Sequence, residues 1–438
     1  MGINSCGTTL IDQGVFKNIG AITWDTTVKT SGFTAVSGNG YFCNTTSAAF
    51  TVTLPSSPSA GDVVAIADYA NTFDTNNVTI GRNGSNIQGQ AGDFTAEIEG
   101  LSITLIYVDG TQGWLSIDAA QASNIVTPQF TVATGGTITT SGDFKIHTFT
   151  GPGTFCVSVT GNSPIFPTGG PNNVDYLVVA GGGGGAGQFF NGSGGGGGAG
   201  AGGFRESSGA ASGCYSASPL GSGVSALPVT ATGYPITVGG GGAGGTGEPS
   251  TLGANGSNSV FSSITSAGGG GGNKFNRVGS NGGSGGSQGM KVNACGSNTA
   301  GSGNTPPVSP SQGNPGGPVG NFPNRGSAGG GGAGAAGPAN PSGNDGTPGG
   351  AGVASSINAS SVTRAGGGGG GGWNGASAGS GGSGGGGNGG SNNQEGFDGS
   401  ANTGGGGGGP GPVNVGGSGC LAGGDGGSGI VIIRYKFQ

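Results

Sequence analysis

Charged residues are scarce in this chain of 438 residues, and the basic ones do not cluster. Only 7% of the residues are Asp, Glu, Lys or Arg, with 18 acidic and 12 basic side chains. Nucleic-acid binding depends on a concentration of Lys and Arg against the phosphates. The sequence therefore predicts a protein that does not bind nucleic acid and that owes its solubility to Ser, Thr, Asn, Gln and exposed peptide groups.

Long apolar runs and metal-type cysteine spacings are missing as well. A membrane-spanning helix needs about 18 or more consecutive apolar residues, and no such stretch occurs, so no membrane insertion is expected. The six cysteines are far apart and include no CxxC pair. This spacing favours free thiols over disulfides and predicts no metal site.

Catalytic groups are equally sparse. His147 is the only histidine; in KIHTFT it shares a predicted strand face with Lys145 and Phe149, which favours a structural role over a Ser-His-Asp triad. Glu97 and Glu99 lie two residues apart on a predicted strand face and are the one candidate carboxylate pair for glycoside hydrolysis, although solvated edge acids are the favoured interpretation. Polyglycine matches GxGxxG by chance, without the helix that a dinucleotide site requires. The sequence predicts no catalytic, cofactor-binding or metal-binding residue, and no enzyme.

Glycine is what the chain has in abundance. It supplies 116 residues, and all but 23 of them follow residue 173. Runs such as Gly181–Gly187 and Gly366–Gly372 lie between two apolar segments, Val174–Ala180 (VDYLVVA) and Ile430–Tyr435 (IVIIRY). Flexible disorder is the main alternative for such runs. A disordered linker, however, would not need the two apolar segments at its ends, which we call the apolar brackets. The arrangement predicts an ordered glycine-rich module.

Glycine runs can be structural if they pack together. An extended run adopts a polyproline-II-like helix with about three residues per turn and no internal hydrogen bonds, so its N–H and C=O groups must find partners in neighbouring chains. Fixing each backbone costs roughly 1–2 kcal/mol, more than the ~1 kcal/mol net return of a hydrogen bond. Only a cooperative stack closed by strands is therefore expected to form. Larger side chains are expected in the loops, because inside the stack they would separate neighbouring helices.

The rest of the chain predicts strands and turns, and therefore an all-β fold with almost no α-helix. Alternation is clear in Phe50-Val52-Leu54 and in Ile103-Leu105-Tyr107, with turn residues every few positions, and no window keeps a helical period. The predicted organisation is a lead-in or attachment segment, a small β module, a linker, a β segment that frames the glycine-rich region, and the glycine-rich domain itself, over residues 1–20, 21–118, 119–127, 128–180 and 181–438.

Aromatic residues beside amides and single charges recur between the glycine runs. Such residues are common in recognition loops, although capping the ends of the stack is an alternative role for each. The candidate receptor-contact residues are Phe189, Phe190, Phe204, Tyr215, Phe275, Arg277, Phe322, Arg325, Trp373 and Phe397.

The segments VDYLVVAGGGGGAG, SITSAGGGGG and GGSGIVIIRY, preceded by DFKIHTFTGPGTF, resemble the glycine-rich domain of bacteriophage tail-fibre and adhesin proteins. This resemblance implies a sandwich of polyglycine II helices whose variable loops bind host surface receptors. The N-terminal region, from GYFCNTT to LIYVDGTQGW, resembles a small β module of fibre and appendage proteins of marine phages. The chain differs from the adhesins at the tips of long tail fibres in having this additional N-terminal module and longer loops rich in Pro and Asn.

These features predict a structural virion appendage protein, a tail fibre or adhesin exposed on the particle surface. Its expected partners are a host receptor, either glycan or outer-membrane protein, and other virion proteins through the N-terminal region. The resemblance implies a homo-oligomer, with a trimer favoured. The alternatives are a capsid- or neck-attached decorating protein without a dedicated receptor, and a polysaccharide depolymerase.

Overall fold

The chain is nearly all β and forms two compact units. The computed structural model describes residues 22–117, 129–162, 169–188, 194–213, 215–247, 251–274, 277–290, 299–320, 326–341, 343–413 and 420–438, together with the backbone of three short strands before residue 17. The first unit comprises Met1–Gln129 and Asn162–Gly170, and the second Phe130–Gly161 and Pro171–Gln438. The expected linker, residues 119–127, lies outside the described residues.

The first unit contains twelve named strands. They are β1 Ile3–Ser5, β2 Thr8–Asp12, β3 Val15–Phe16, β4 Thr23–Lys29, β5 Phe33–Thr34, β6 Asn39–Cys43, β7 Phe50–Thr53, β8 Val63–Asp68, β9 Val78–Gly81, β10 Phe94–Ala96, β11 Ser102–Asp109 and β12 Gly113–Ser116.

Two sheets enclose the core of this unit. Strands β4, β6 and β8 pair in parallel, as do β5, β7 and β9, so the chain winds three times between the sheets. Antiparallel strands β10, β11 and β12 complete the sheets, in the orders β10-β9-β7-β5 and β12-β11-β8-β6-β4. The alternation of side chains across each strand sends Val52, Leu54, Ile103 and Leu105 into one apolar core around the buried Trp114, as the sequence predicts.

The second unit contains thirteen named strands and one short 3-10 helix, Pro219–Gly221. The strands are β13 Val132–Thr134, β14 Thr137–Ser141, β15 Phe144–Phe149, β16 Gly153–Val159, β17 Asn173–Val179, β18 Phe204–Glu206, β19 Leu227–Pro228, β20 Gly233–Thr237, β21 Ser259–Phe261, β22 Ile264–Ser266, β23 Val353–Ser355, β24 Val362–Arg364 and β25 Ile430–Lys436.

The two apolar brackets of the glycine-rich region, β17 and β25, are adjacent antiparallel strands of one sheet, ordered β14-β15-β25-β17-β18. One face of this sheet packs in an aromatic core with a second sheet, β13-β16-β20-β21-β22, around Phe155, Phe261 and Tyr435. The other face, with Leu177 and Ile432, forms a further core beside the glycine-rich region. Burial on both faces explains why these strands are continuously apolar.

The glycine runs form a lattice of extended helices joined by backbone hydrogen bonds. Run 181–187 lies at its centre, and its bonding repeats every three residues, as expected for polyglycine II. Its C=O groups accept from three neighbouring segments through the N–H groups of Gly242, Gly245, Gly269, Gly272 and Gly407. Its N–H groups donate to the C=O groups of three other segments at 2.8–3.2 Å. Gly181, Gly184 and Gly187 donate to Ser257, Ala254 and Thr251, respectively. Gly182 and Gly185 donate to Gly427 and Gly424, and Gly183 and Ala186 donate to Gly200 and Gly197. The run is therefore bonded to six neighbours, and the predicted glycine stack is present.

The expectation that side chains stay out of the stack is too strict. Ala186, Ala199 and Ala201 are fully buried within the runs, as are Ser284 and Ser287. Most central glycines nevertheless have no room, since a Cβ on Gly369 would lie 2.1 Å from the carbonyl oxygen of Gly379. The lattice thus accepts small side chains only at selected positions.

Asn and Asp side chains also bind lattice N–H groups. Asp425 Oδ1 accepts from Gly244 N at 2.7 Å, and Asp398 Oδ1 accepts from Asp425 N at 2.7 Å. Asn255 accepts from Gly271 N at 2.8 Å in the same way. Side-chain oxygens therefore serve as acceptors alongside backbone carbonyls, which satisfies further donors of the extended helices.

Candidate functional site

The lattice has a sheet end and a loop end. Helical segments that leave β17, β20 and β22 run away from the sheets, and segments that enter β18, β21 and β25 return to them. The loop end, as we use the term, comprises the described residues 343–345, 373–376 and 391–394. Loops are where binding residues concentrate when a rigid scaffold positions them, so the loop end is the candidate functional surface.

Two loops of this end are bonded to each other. Trp373 N donates to the C=O of Asn344 at 2.8 Å, and Gly346 N donates to the C=O of Ser377 at 2.8 Å. Ser377 N in turn donates to Asp345 Oδ1 at 2.8 Å. We call the pair formed by residues 343–346 and 373–377 the Trp373 clamp.

The buried side-chain amide of Asn340 forms hydrogen bonds to the first loop of the clamp. Asn340 is 4% exposed; its Nδ2 donates to the C=O of Asp345 at 2.8 Å, and its Oδ1 accepts from Gly343 N at 3.2 Å. Both hydrogen bonds hold the 343–345 loop, so the loop conformation is determined by an interior side chain. Sequence reasoning missed Asn340, because an isolated Asn among Pro and Gly residues gives no sign that it is buried.

The second loop is a tight turn. Asn374 and Gly375 have φ values of 50° and 83°, and Ala376 N donates to the C=O of Trp373 at 3.1 Å. Positive φ at both central positions is the type I′ geometry, for which Asn-Gly is the preferred pair. The local sequence WNGA therefore holds the Trp373 side chain, which is partly exposed, at the base of a rigid turn.

The five predicted contact residues that the structure describes do not form one surface. Phe189, Phe190, Phe275, Phe322 and Arg325 lie outside the described residues. Of the others, Trp373 belongs to the clamp, and Arg277 is exposed just beyond the end of the helical segment that follows β22. Phe397 is 54% exposed, but it lies within an extended lattice segment on the side of the module rather than in a loop.

Phe204 and Tyr215 require correction. Phe204 is 1% exposed and belongs to the core at the sheet end, because its strand pairs with β17 and places the ring among Leu177 and Ile432. Tyr215 packs against the same core and lies near Arg434, with its ring centroid 5.4 Å from the guanidinium carbon. Both side chains stabilise the junction of sheet and lattice, and neither belongs to the candidate contact surface.

The sheet end buries a group of ionisable side chains that sequence reasoning overlooked. Asp175 is fully buried and accepts from Ser207 Oγ at 2.7 Å and from Ser212 N and Oγ at 2.7 and 2.6 Å. Glu206, 1% exposed, accepts from Ser218 N at 2.8 Å and from the Ser355 hydroxyl. Arg434 and Arg364 are also buried, on β25 and β24, which belong to different sheets. The only sequence sign was a charge inside each apolar bracket, VDYLVVA and IVIIRY.

Burial changes the proton affinities at this junction. Desolvation raises the pKa of Glu206, with the Ser355 and Ser218 hydrogen bonds acting in the opposite direction. Desolvation also raises the pKa of Tyr215. It lowers the pKa of Arg364, while the nearby carboxyl group of Glu206 acts in the opposite direction. Every acceptor oxygen of Asp175 and Glu206 has a donor, which is the arrangement of a structural network rather than of a reactive site.

The structure also shows the surroundings of the groups considered for catalysis. His147 is buried, with Nδ1 2.7 Å from the carbonyl oxygen of Gly135 and Nε2 3.1 Å from the Tyr435 hydroxyl, and desolvation lowers its pKa. Strand β10 ends at Ala96, so Glu97 and Glu99 lie in the following turn and do not share a strand face. This corrects the geometry on which the glycosidase alternative depended.

Acidic residues of the first unit cap turns. Asp68 Oδ2 accepts from the N–H groups of Phe73 and Gly100, both at 3.1 Å, and Asp109 Oδ1 accepts from Gln112 N at 2.7 Å. Among the described residues, no group of three His, Cys, Asp or Glu side chains is arranged to hold a metal ion. The part of the chain that the structure describes also contains no α-helical segment with the length and hydropathy of a membrane span.

Comparison with known proteins agrees with this architecture. No curated protein matches the chain. The profile of one family, described as a glycine-rich domain, matches residues 158–436, which include both bracket strands, the whole lattice and the loop end. The match covers more than half of the 438 residues. The chain therefore belongs to the glycine-rich domain family.

Proposed function

We propose that this protein is a non-enzymatic virion appendage subunit, a tail fibre or adhesin, that presents the loops of its lattice for recognition of the host cell surface. The supporting observation is the separation of tasks in the second unit. Backbone hydrogen bonds fix the helices over their whole length, while the connections at the loop end carry aromatic and amide side chains. A rigid support of this kind reduces the entropy lost when loops bind a partner.

The sequence resemblance supplies the biological setting. The protein is exposed on the surface of a phage particle, and its N-terminal region attaches it to other virion proteins. It acts as a homo-oligomer, with a trimer favoured, so that several loop ends engage the cell together. Multivalency of this kind raises avidity by ~10²–10⁴ without any new contact.

A binding assay tests this function. A fluorescent fusion of the full chain is incubated with a panel of marine bacterial isolates, and flow cytometry measures the retained signal. We expect saturable binding to a subset of isolates, competed by unlabelled protein. If no isolate retains the protein while an antibody against it labels purified particles, the protein is a decorating subunit without a dedicated receptor.

A further inference from the structure

The Trp373 clamp combines one aromatic side chain with exposed amides on a fixed backbone. Trp373 is partly exposed, and Asn344 and Asn374 are exposed beside it, one on each loop. The hydrogen bonds from Trp373 N to Asn344 O and from Ser377 N to Asp345 Oδ1 set the spacing of the two loops. The backbone positions from which these side chains reach solvent are therefore fixed before any ligand arrives.

We propose that the Trp373 clamp binds a neutral sugar ring of a cell-surface glycan. This inference rests on the proposed function and narrows its receptor from glycan or protein to glycan. One face of a pyranose ring consists largely of C–H groups, which pack against the indole, while the hydroxyl groups at the ring edge need both donors and acceptors. A side-chain amide provides both from one group, and Asn344 and Asn374 are placed to do so.

The alternatives fit the clamp less well. Residues 343–346 and 373–377 include no Lys or Arg, so the clamp lacks the cations that bind phosphate groups of lipids or nucleic acids. A stable protein–protein interface buries about 800 Å² per partner around an apolar centre. The clamp offers a single indole surrounded by polar side chains, which suits a small polar ring.

Chemical treatment of the cells separates this proposal from the proposed function. Isolates that bind the full-length fusion are treated with periodate, which cleaves vicinal diols of sugars, or with a broad-specificity protease. We expect periodate to abolish binding and protease to leave it unchanged. Loss of binding with protease alone would overturn the glycan assignment and leave host recognition intact, whereas no binding to any untreated isolate would count against the proposed function itself.

Variants then locate the sugar site. The probe is the polysaccharide released by mild acid from a binding isolate, titrated against the full chain by calorimetry. Trp373→Ala is expected to raise the Kd about tenfold or more, as for loss of a stacking contact, and Asn344→Ala about threefold to tenfold. Tyr69→Ala, which removes an aromatic side chain 56% exposed in the first unit, is the matched control and is expected to leave the Kd unchanged.

The thermal midpoints of all variants are measured in parallel. Wild-type affinity for the polysaccharide in a folded Trp373→Ala protein would overturn the proposal. Should Trp373→Ala lose its fold, Trp373→Phe replaces it, because this substitution keeps an apolar ring in the turn. A raised Kd in the folded Trp373→Phe protein would support the proposal, and a wild-type Kd would overturn it.

Discussion

The two units of this protein reach order by opposite means. In the first unit, strands of period two send large side chains such as Phe94 and Trp114 into one core. In the lattice, helices of period three have almost no side chains, and order comes from bonds such as Gly185 N to Gly424 O at 2.8 Å. The first unit is sensitive to what is removed from its interior, and the lattice to what is added. Substitutions in opposite directions test this difference.

The largest effect is expected from adding a side chain to the lattice. Gly369→Val places a Cβ 2.1 Å from the Gly379 carbonyl oxygen. The backbone at Gly379 cannot move away without breaking hydrogen bonds to the neighbouring helices. We expect a loss of about 3 kcal/mol or more, or failure to fold. Circular dichroism melts and hydrogen exchange over residues 181–429 provide the measurement.

Gly240→Val is the matched control, since a Cβ at Gly240 has no atom within 4 Å. We expect its stability to stay within about 0.5 kcal/mol of wild type. Equal thermal midpoints for the two variants would show that close packing of glycine backbones does not hold this unit together.

An effect of similar size is expected from removing a large side chain in the first unit. Phe94 is 1% exposed in the core, so Phe94→Ala should cost about 3–5 kcal/mol through lost burial and a residual cavity. Faster hydrogen exchange within residues 22–117 is the measurement. Tyr69→Ala serves as the exposed control, and a similar loss from both variants would contradict a core of the kind described.

A moderate, pH-dependent effect is expected at the junction of sheet and lattice. Because burial raises the pKa of Glu206 above its ordinary 4.5, the folded state holds this proton more tightly than the unfolded state. This contribution to stability is complete below pH 4.5 and is lost as pH rises through the folded pKa. Thermal midpoints between pH 4 and 7 should therefore fall less in Glu206→Gln than in wild type.

Glu395→Gln, at an exposed position of the lattice, is the control for that measurement. It should reproduce the wild-type pH profile. If Glu206→Gln does so as well, the carboxyl group of Glu206 does not titrate differently in the two states.

The smallest stability effect is expected at the loop end. Trp373 is partly exposed, and its hydrogen bonds to Asn344 and Ala376 are made by its backbone, which Trp373→Ala retains. We expect Trp373→Ala to reduce the free energy of unfolding by about 1 kcal/mol or less. A loss of several kcal/mol would show that the ring also supports the turn, and recognition would then be measured with Trp373→Phe.

Much of the fold could be predicted from local pattern. The apolar brackets predicted β17 and β25, and alternation predicted the faces of β7 and β11, because burial and strand pleating act on neighbouring residues. The Asn-Gly pair of the clamp could also have been recognised as a turn. The site was harder to predict. Phe204 and Tyr215 look like loop aromatics in sequence, and only the pairing of β18 with β17 places Phe204 in a core.

By itself, the sequence determined that this protein is all-β and that its glycines must share hydrogen bonds, since glycine runs leave every backbone donor and acceptor to be satisfied elsewhere. Tertiary structure alone decided which runs are neighbours, where alanine and serine fit among them, and which aromatics remain at the surface. Glycine helices have no side chains that could specify which other helices they pack against. Their arrangement is set by the strands at the sheet end and by the loops that join one helix to the next.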